Sequence, residues 1–285
     1  MKITNNIINH ERHICSCKRY GDHDMIEFTS IDLFGFELFI AVIILGFFCE
    51  LVDSSLGMGY GTTLTPVLLV IGFNPLAIVP CILLSELFTG LAAGVAHHRA
   101  GNVNFTRGSL HLKIALVLAI CSIIGAALAV FIALNIPKLW LNAYIGIMVL
   151  GMGIVMVVTL NKTFRFSWKK ITGLGLIASF NKGMSGGGYG PIVTGGQILS
   201  GVKGNHAVGI TSLAEGLTCV VGVIVFLLSP GSADWQLAPS LIIGAMLSVP
   251  FSAVIVKRIP TKSLTISIAV LTILLGVYTL VKLFM

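Results

Sequence analysis

Gly57-Met58-Gly59-Tyr60-Gly61 recurs 129 residues further on as Gly186-Gly187-Gly188-Tyr189-Gly190. The match extends outward without gaps. Gly46 falls on Gly175, Thr65 on Thr194 and Gly72 on Gly201. Leu84, Glu86 and Thr89 fall on Leu213, Glu215 and Thr218. With small changes of offset, Ile123-Ile124-Gly125-Ala126 matches Ile242-Ile243-Gly244-Ala245, and Ile136-Pro137 matches Ile259-Pro260. Apolar sequence yields chance matches, but a glutamate in register is harder to obtain. Only five acidic residues follow position 40. The chain contains an internal repeat.

Composition says where the repeat lives. Of 285 residues, 56% are hydrophobic and 10% charged, against about 25% charged in an ordinary soluble domain. That excludes a typical cytosolic enzyme, a disordered chain and a DNA-binding domain. The net charge of +7 comes from basic residues between apolar runs, where loops of a membrane protein carry them, so no nucleic-acid partner is expected. Apolar runs lie near 34–52, 57–72, 75–97, 110–134, 139–160, 170–182, 186–200, 205–228, 236–257 and 263–284. A bilayer core takes about 20 helical residues to cross. Most runs reach that length. The second, sixth and seventh are short and touch the glycine clusters, which marks them as half-helices or re-entrant segments. Cys49, Cys81, Cys121 and Cys219 lie inside apolar runs and read as packing residues.

Residues 1–33 hold nine of the 29 charged residues and three of the seven histidines, and form a polar tail. Its His10, His13, Cys15, Cys17 and His23 either hold zinc or copper as soft ligands or are incidental groups on a flexible tail; their spacing fits no standard zinc finger. The expected divisions are thus a tail (1–33), a first membrane repeat (34–160) and a second (161–285).

Loop charges orient the repeats. The loop after the third run carries Arg99, Arg107 and Lys113, whereas its partner near Pro230 to Trp235 has no Lys or Arg. The loop after the fourth carries only Lys138; its partner has Lys257, Arg258 and Lys262. Equivalent loops of opposite charge character lie on opposite sides of the membrane. The repeats are then inverted, with an odd number of crossings each. Five spans satisfy this, and so does a re-entrant hairpin plus three. The loop at 161–170, with Lys162, Arg165, Lys169 and Lys170, comes out cytoplasmic and both termini outside. The expected fold class is an all-α polytopic membrane protein of two inverted repeats with about five segments each. Interrupted helices at the glycine loops are part of that expectation, as in many secondary transporters.

Polar groups inside apolar runs are the candidate site. Gly57, Gly59 and Gly61, and Gly186, Gly187, Gly188 and Gly190, are too dense for stable helix at about 1 kcal/mol per glycine. Irregular backbone at membrane depth persists where it lines a cavity or is enclosed by protein, and freed N–H groups bind anions. Asn181, Lys182 and Ser185 precede the second cluster; Tyr60 and Tyr189 either cap a cavity or pack. Glu86 and Glu215 sit midway along apolar runs, where a charge costs about 3 kcal/mol. Each has a threonine three residues on, Thr89 and Thr218, on the same face. They are candidates for proton or cation coupling, or for bonding interrupted backbone. Asp53 occupies the repeat position of Lys182. Either the two form a salt bridge across the repeat interface, or Lys182 meets an anionic substrate. His97 is a candidate proton carrier or part of an interfacial cluster with His98 and Arg99.

These residues resemble the TauE/SafE family of membrane permeases. The first half matches in Gly57-Met58-Gly59-Tyr60-Gly61 followed by Pro66, and in His97-His98 before Gly101-Asn102-Val103-Asn104. The second matches in Ser185-Gly186-Gly187-Gly188-Tyr189-Gly190-Pro191, then Ala207 through Thr211-Ser212-Leu213. The resemblance spans roughly 38–284. It implies movement of sulfite, a sulfonate or a related organosulfur anion across the cell membrane, without ATP hydrolysis, enzymatic chemistry or a cofactor. Asn104 stands where an aspartate is usual, and Gly195 stands where the first repeat has Pro66. Rival readings are a channel, from the doubled Gly-Tyr-Gly, and a metal-ion transporter, from the soft ligands of the tail and the carboxylates inside the apolar runs. A GxSG match at Gly183-Met184-Ser185-Gly186 suggests a serine protease, but a nucleophile needs a base in reach and no histidine follows inside a run except His206 at an edge.

Overall fold

The computed structural model describes residues 14–15, 28–33, 36–57, 60–159, 167–200, 202–229, 235–255 and 261–284. Among these described residues, ten helices follow a short antiparallel sheet of β1 (Ile14–Cys15), β2 (Phe28–Leu33) and β3 (Phe36–Phe39). They are α1 (Ile40–Leu56), α2 (Tyr60–Ile71), α3 (Pro75–Arg99), α4 (Leu110–Asn135) and α5 (Lys138–Thr159). The second set is α6 (Trp168–Ser185), α7 (Tyr189–Leu199), α8 (Gly204–Leu227), α9 (Ala238–Ile255) and α10 (Thr261–Phe284). The membrane part is all-α, as the apolar runs predict. Boundaries differ from the hydropathy reading: the first run, read from 34, is strand β3 over Phe36–Phe39 and becomes helix only at Ile40. α1 continues through Asp53 to Leu56 and α6 through Lys182 to Ser185, because both charged side chains turn inward and are buried. The expected tail is partly strand, and Phe39 at the end of β3 donates its N–H to Ser240 Oγ at 2.9 Å.

Local chemistry sets the helix ends. Asn74 caps α3 by accepting from the Leu76 N–H at 3.1 Å, with Pro75 in the first turn. Ser109 caps α4, accepting from Leu112 N–H at 3.2 Å. α1 and α6 both stop at a left-handed glycine, Gly57 with φ 69° and Gly186 with φ 71°, a conformation that favours glycine. Five described helices are long and apolar enough to cross a membrane: α3, α4, α5 up to Val158, α8 and α9. The outer faces are apolar, with Ile120, Ile124, Phe131 and Trp140 all exposed. A lipid-facing surface carries such residues.

The packing pairs follow one exchange rule. α4 packs on α6 and α1 on α9; α4 packs on α8 and α3 on α9; α3 packs on α8 and α5 on α10. Each contact maps onto another, or onto itself, when first-set helices are exchanged for second-set ones. α3 and α8 run antiparallel: Gly222 lies against Leu83, Gly90 against Gly216 and Gly94 against Leu213. A Cβ on Gly90 would lie 2.8 Å from Gly216 Cα. α5 and α10 also run antiparallel, with Gly146 on Leu280, Gly276 on Leu150 and Gly153 on Ile273. α4 and α6 run parallel, from Cys121 on Gly175 to Ala129 on Gly183.

These directions give the path of the short helices. The C-terminal end of α2 and the starts of α3 and α5 share one face with Lys282 of α10, which donates to Val70 O at 3.0 Å. They line a cavity of about 220 Å³ there. The starts of α4 and α8 share the opposite face, where the His111 and His206 rings lie 4.6 Å apart. α6 begins beside α4 on that face, and α7 leads back to the start of α8 on the same face. The α6–α7 pair is therefore a re-entrant hairpin. α1 begins beside α9 on the first face and α2 returns there, so α1–α2 is the matching hairpin.

Candidate functional site

The two hairpin tips meet at the level of mid-α3. Thr65 donates its hydroxyl to Ser185 O at 2.8 Å, and Gly188 N–H donates to Thr62 Oγ1 at 3.0 Å. Gly61 lies so close to Gly186 and Gly187 that no side chain fits: a Cβ on Gly187 would sit 2.6 Å from Thr62 N. Close backbone approach thus explains Gly61 and Gly187, while Gly57, Gly186 and Gly188 supply positive φ. The remaining amides of the second tip are satisfied locally. Gly186 N–H donates to Lys182 O at 2.8 Å and Gly187 N–H to Ser185 Oγ at 3.2 Å. Gly190 is buried in the first turn of α7. Gly59 lies outside the described residues.

Beside the tips lies a buried cluster of charge. Lys182, with no exposed surface, projects from the last turn of α6. Its Nζ donates to Glu215 Oε1 at 2.8 Å and makes a second ion pair with Glu86 Oε2. Asp53 on α1 joins these glutamates, the three carboxylates bringing oxygens within 4.8 Å of one another. Glu50, one turn before Asp53, accepts from Ser54 Oγ. Glu50, Asp53, Glu86, Thr89 and Glu215 line a cavity of about 10 Å³, room for about one water. Glu50 Oε2, Glu86 Oε1 and Thr89 Oγ1 are buried without a hydrogen-bond partner. Four buried carboxylates around one ammonium are an excess of acid that a low-dielectric interior accommodates only with protons or a further cation.

Of the two readings of Asp53 and Lys182, the ion pairs of Lys182 go to the glutamates. Thr89 faces the cavity, but Thr218 turns back to donate to Ala214 O at 2.8 Å. Tyr60 is buried and its hydroxyl pairs with Ser85 Oγ at 2.9 Å; Tyr189 is also fully buried. Asn181 accepts from the Tyr144 hydroxyl. Ser185 Oγ donates to Asn181 O at 2.8 Å, a backbone bond rather than a nucleophile–base contact. His97 is buried, unlike exposed His98. Its Nε2 lies 2.8 Å from Ser54 O and its Nδ1 2.9 Å from Asn102 Nδ2. Asn102 also donates to Ala253 O at 3.0 Å. With Asn102 as donor, the ring is the neutral tautomer that donates from Nε2. His97 therefore fixes the C-terminal turn of α1, next to Asp53.

Sequence reasoning passed over Glu50, although the signal was present: a carboxylate in an apolar run, three residues before another and so on the same helical face. The histidines and cysteines of the tail were a separate question; of these, His10, His13, Cys17 and His23 lie outside the described residues.

The chain is 29% identical over 252 residues to the probable membrane transporter protein YtnM of Bacillus subtilis (strain 168), covering 84% of this chain and 81% of that one. It is 25% identical over 257 residues to the probable membrane transporter protein YjnA of the same organism, covering 83% and 98%. Residues 42–279 match the family model described as sulfite exporter TauE/SafE, so this chain, with its helical membrane core, belongs to that family of membrane transporters.

Proposed function

We propose that the protein is a secondary transporter that carries a small sulfur-containing anion, such as sulfite or a sulfonate, across the cytoplasmic membrane by alternating access. The observation that carries this reading is Lys182, a buried cation held between Glu86 and Glu215 where two re-entrant hairpins meet. Antiparallel packing of equivalent helices supports two inverted repeats, 34–160 and 161–285, each a hairpin plus three spans. Re-entrant backbone at the repeat interface is where such transporters bind substrate.

The mechanism follows from which bonds cross the interface. The Gly188–Thr62 and Ser185–Thr65 bonds tie the tips together. When the halves rock apart, the Gly188 N–H is freed toward the gap, beside Asn181, Ser185 and Lys182. An anion there receives N–H donors and the charge of Lys182. Protons on Glu86 and Glu215 release Lys182 from its ion pairs and so couple anion binding to protonation. His97 holds the adjoining turn of α1 while this happens. The basic loops at 99–113, 161–170 and 257–262 support a cytoplasmic location for the face that carries them, with both termini outside.

The test is flux of sulfite and short sulfonates in proteoliposomes, with and without a pH gradient. Anion flux that follows the gradient is expected, and Glu86→Gln combined with Glu215→Gln should remove its pH dependence. No flux of any sulfur anion overturns the substrate; pH-dependent flux untouched by the double variant overturns the proton role.

A further inference from the structure

We infer that the carboxylate cluster at the end of α1 is a binding site for a sodium-sized monovalent cation. The inference rests on the same cluster as the proton reading and adds a second ion to it. Both re-entrant hairpins aim a helix C-terminus at the centre of the molecule, α1 ending at Leu56 and α6 at Ser185. A helix C-terminus carries about half a negative charge. In the second hairpin that end has its own cation, Lys182, in the last turn. In the first hairpin the equivalent turn holds Asp53, with Glu50 one turn back, and its last turn holds no basic residue. The negative end of α1 therefore meets more negative charge.

The donors suit a hard cation. Oxygens of Asp53, Glu86 and Glu215 lie within 4.8 Å of one another, the span of ligands on opposite sides of one ion at about 2.4 Å from each. Two further atoms on the same cavity end without a hydrogen-bond partner: Thr89 Oγ1 and Glu50 Oε2, on side chains 1% and 2% exposed. All are oxygens, the ligands of alkali and alkaline-earth ions rather than of zinc or copper. Size and donor number narrow the choice. A cavity of about 10 Å³ leaves no room for the waters that Mg²⁺ retains. The Lys182 ammonium already occupies one oxygen each of Glu86 and Glu215, which leaves fewer free donors than the about six to eight oxygens that Ca²⁺ takes. Helix C-termini of interrupted membrane helices are known Na⁺ ligands in other folds. Titratable groups facing the cluster are Glu50, Asp53, Glu86, Glu215, Lys182 and Cys219, so the binding is measured at one fixed pH.

The experiment is radioactive Na⁺ binding to the purified full chain in detergent, at constant ionic strength with choline as the replacement ion. Saturable binding of one Na⁺ per chain is expected, displaced by excess unlabelled Na⁺ and not by choline. Asp53→Asn should abolish it. Thr89→Val removes a neutral donor without changing charge and should weaken it about fivefold; retained thermal unfolding identifies a folded variant. Absence of saturable binding in the wild-type chain, or full binding in folded Asp53→Asn, overturns the site. Na⁺ binding without flux of any sulfur anion keeps the site and overturns the substrate reading alone. Proton-driven anion flux without Na⁺ binding sinks the site alone.

Discussion

The two re-entrant hairpins share an order of helix, left-handed glycine and returning helix, and differ in charge. α1–α2 and α6–α7 both turn at a left-handed glycine, place a buried tyrosine at the start of the returning helix, and meet tip to tip. At equivalent positions, however, Glu50 and Asp53 of the first face Ser179 and Lys182 of the second. Around them, the glutamates of α3 and α8 are the same in both halves. The matched parts pack in pairs that survive exchange of first-set for second-set helices. The asymmetric parts make one side acidic and the other basic, so a single ammonium can be shared between two equivalent carboxylates. In this protein the repeat explains the frame, and the departures from the repeat explain the site.

Removing Lys182 breaks the comparison most severely. Lys182→Met leaves four buried carboxylates with no ammonium among them. Breaking a buried ion pair from one side costs about 3–5 kcal/mol, and anion flux should fall to background. Thermal unfolding in detergent and proteoliposome flux check both effects. Adding Asp53→Asn makes the two equivalent positions neutral and removes one excess negative charge. The double variant should regain about 1–2 kcal/mol of the loss, a coupling of the size neighbouring sites show. Equal stability of the single and double variants would mean that Asp53 and Lys182 do not feel one another.

The tips come next. Gly61→Ala places a methyl on the backbone of Gly186, where nothing flexible can yield. Overpacking of this kind costs about 1–3 kcal/mol and pushes the hairpins apart. The Thr65–Ser185 and Thr62–Gly188 bonds should weaken with it, and unfolding temperature and flux should fall together. A normal unfolding temperature in Gly61→Ala would show that the tips are not in contact in the membrane.

Much of this was legible beforehand because periodicity and register are local properties of the chain. The hydropathy runs marked all ten helices, and the repeat paired them. Glu86 and Glu215 stood out because each is alone in an apolar run. What the chain does not display in one dimension is which carboxylate takes the lysine. Asp53 is the repeat partner of Lys182, and the repeat position alone favours neither Asp53 nor the glutamates. The antiparallel crossing of α3 and α8 at Gly90 and Gly216 brings both glutamates to the lysine instead. Glu50 has Ser179 as its repeat partner, so the register that marks Glu86 and Glu215 leaves it unmarked. The re-entrant path was one of two options until the packing directions of α4, α6 and α8 separated them.

The smallest expected effect lies where the hairpins differ without charge. Pro66 in α2 falls on Gly195 in α7. A Cβ at Gly195 would meet nothing within 4 Å, and the residue lies inside a helix. Replacing an unhindered helical glycine by alanine removes freedom from the unfolded chain and raises stability by about 0.5–1 kcal/mol. Gly195→Ala should therefore raise the unfolding temperature slightly and leave Na⁺ binding untouched. Its effect on flux is the sharper measurement. If the second hairpin must flex at this glycine while the first is stiffened by proline, the variant will be more stable and slower. If flux is unchanged, both hairpins move as rigid pieces, and the asymmetry that matters is confined to Glu50, Asp53 and Lys182.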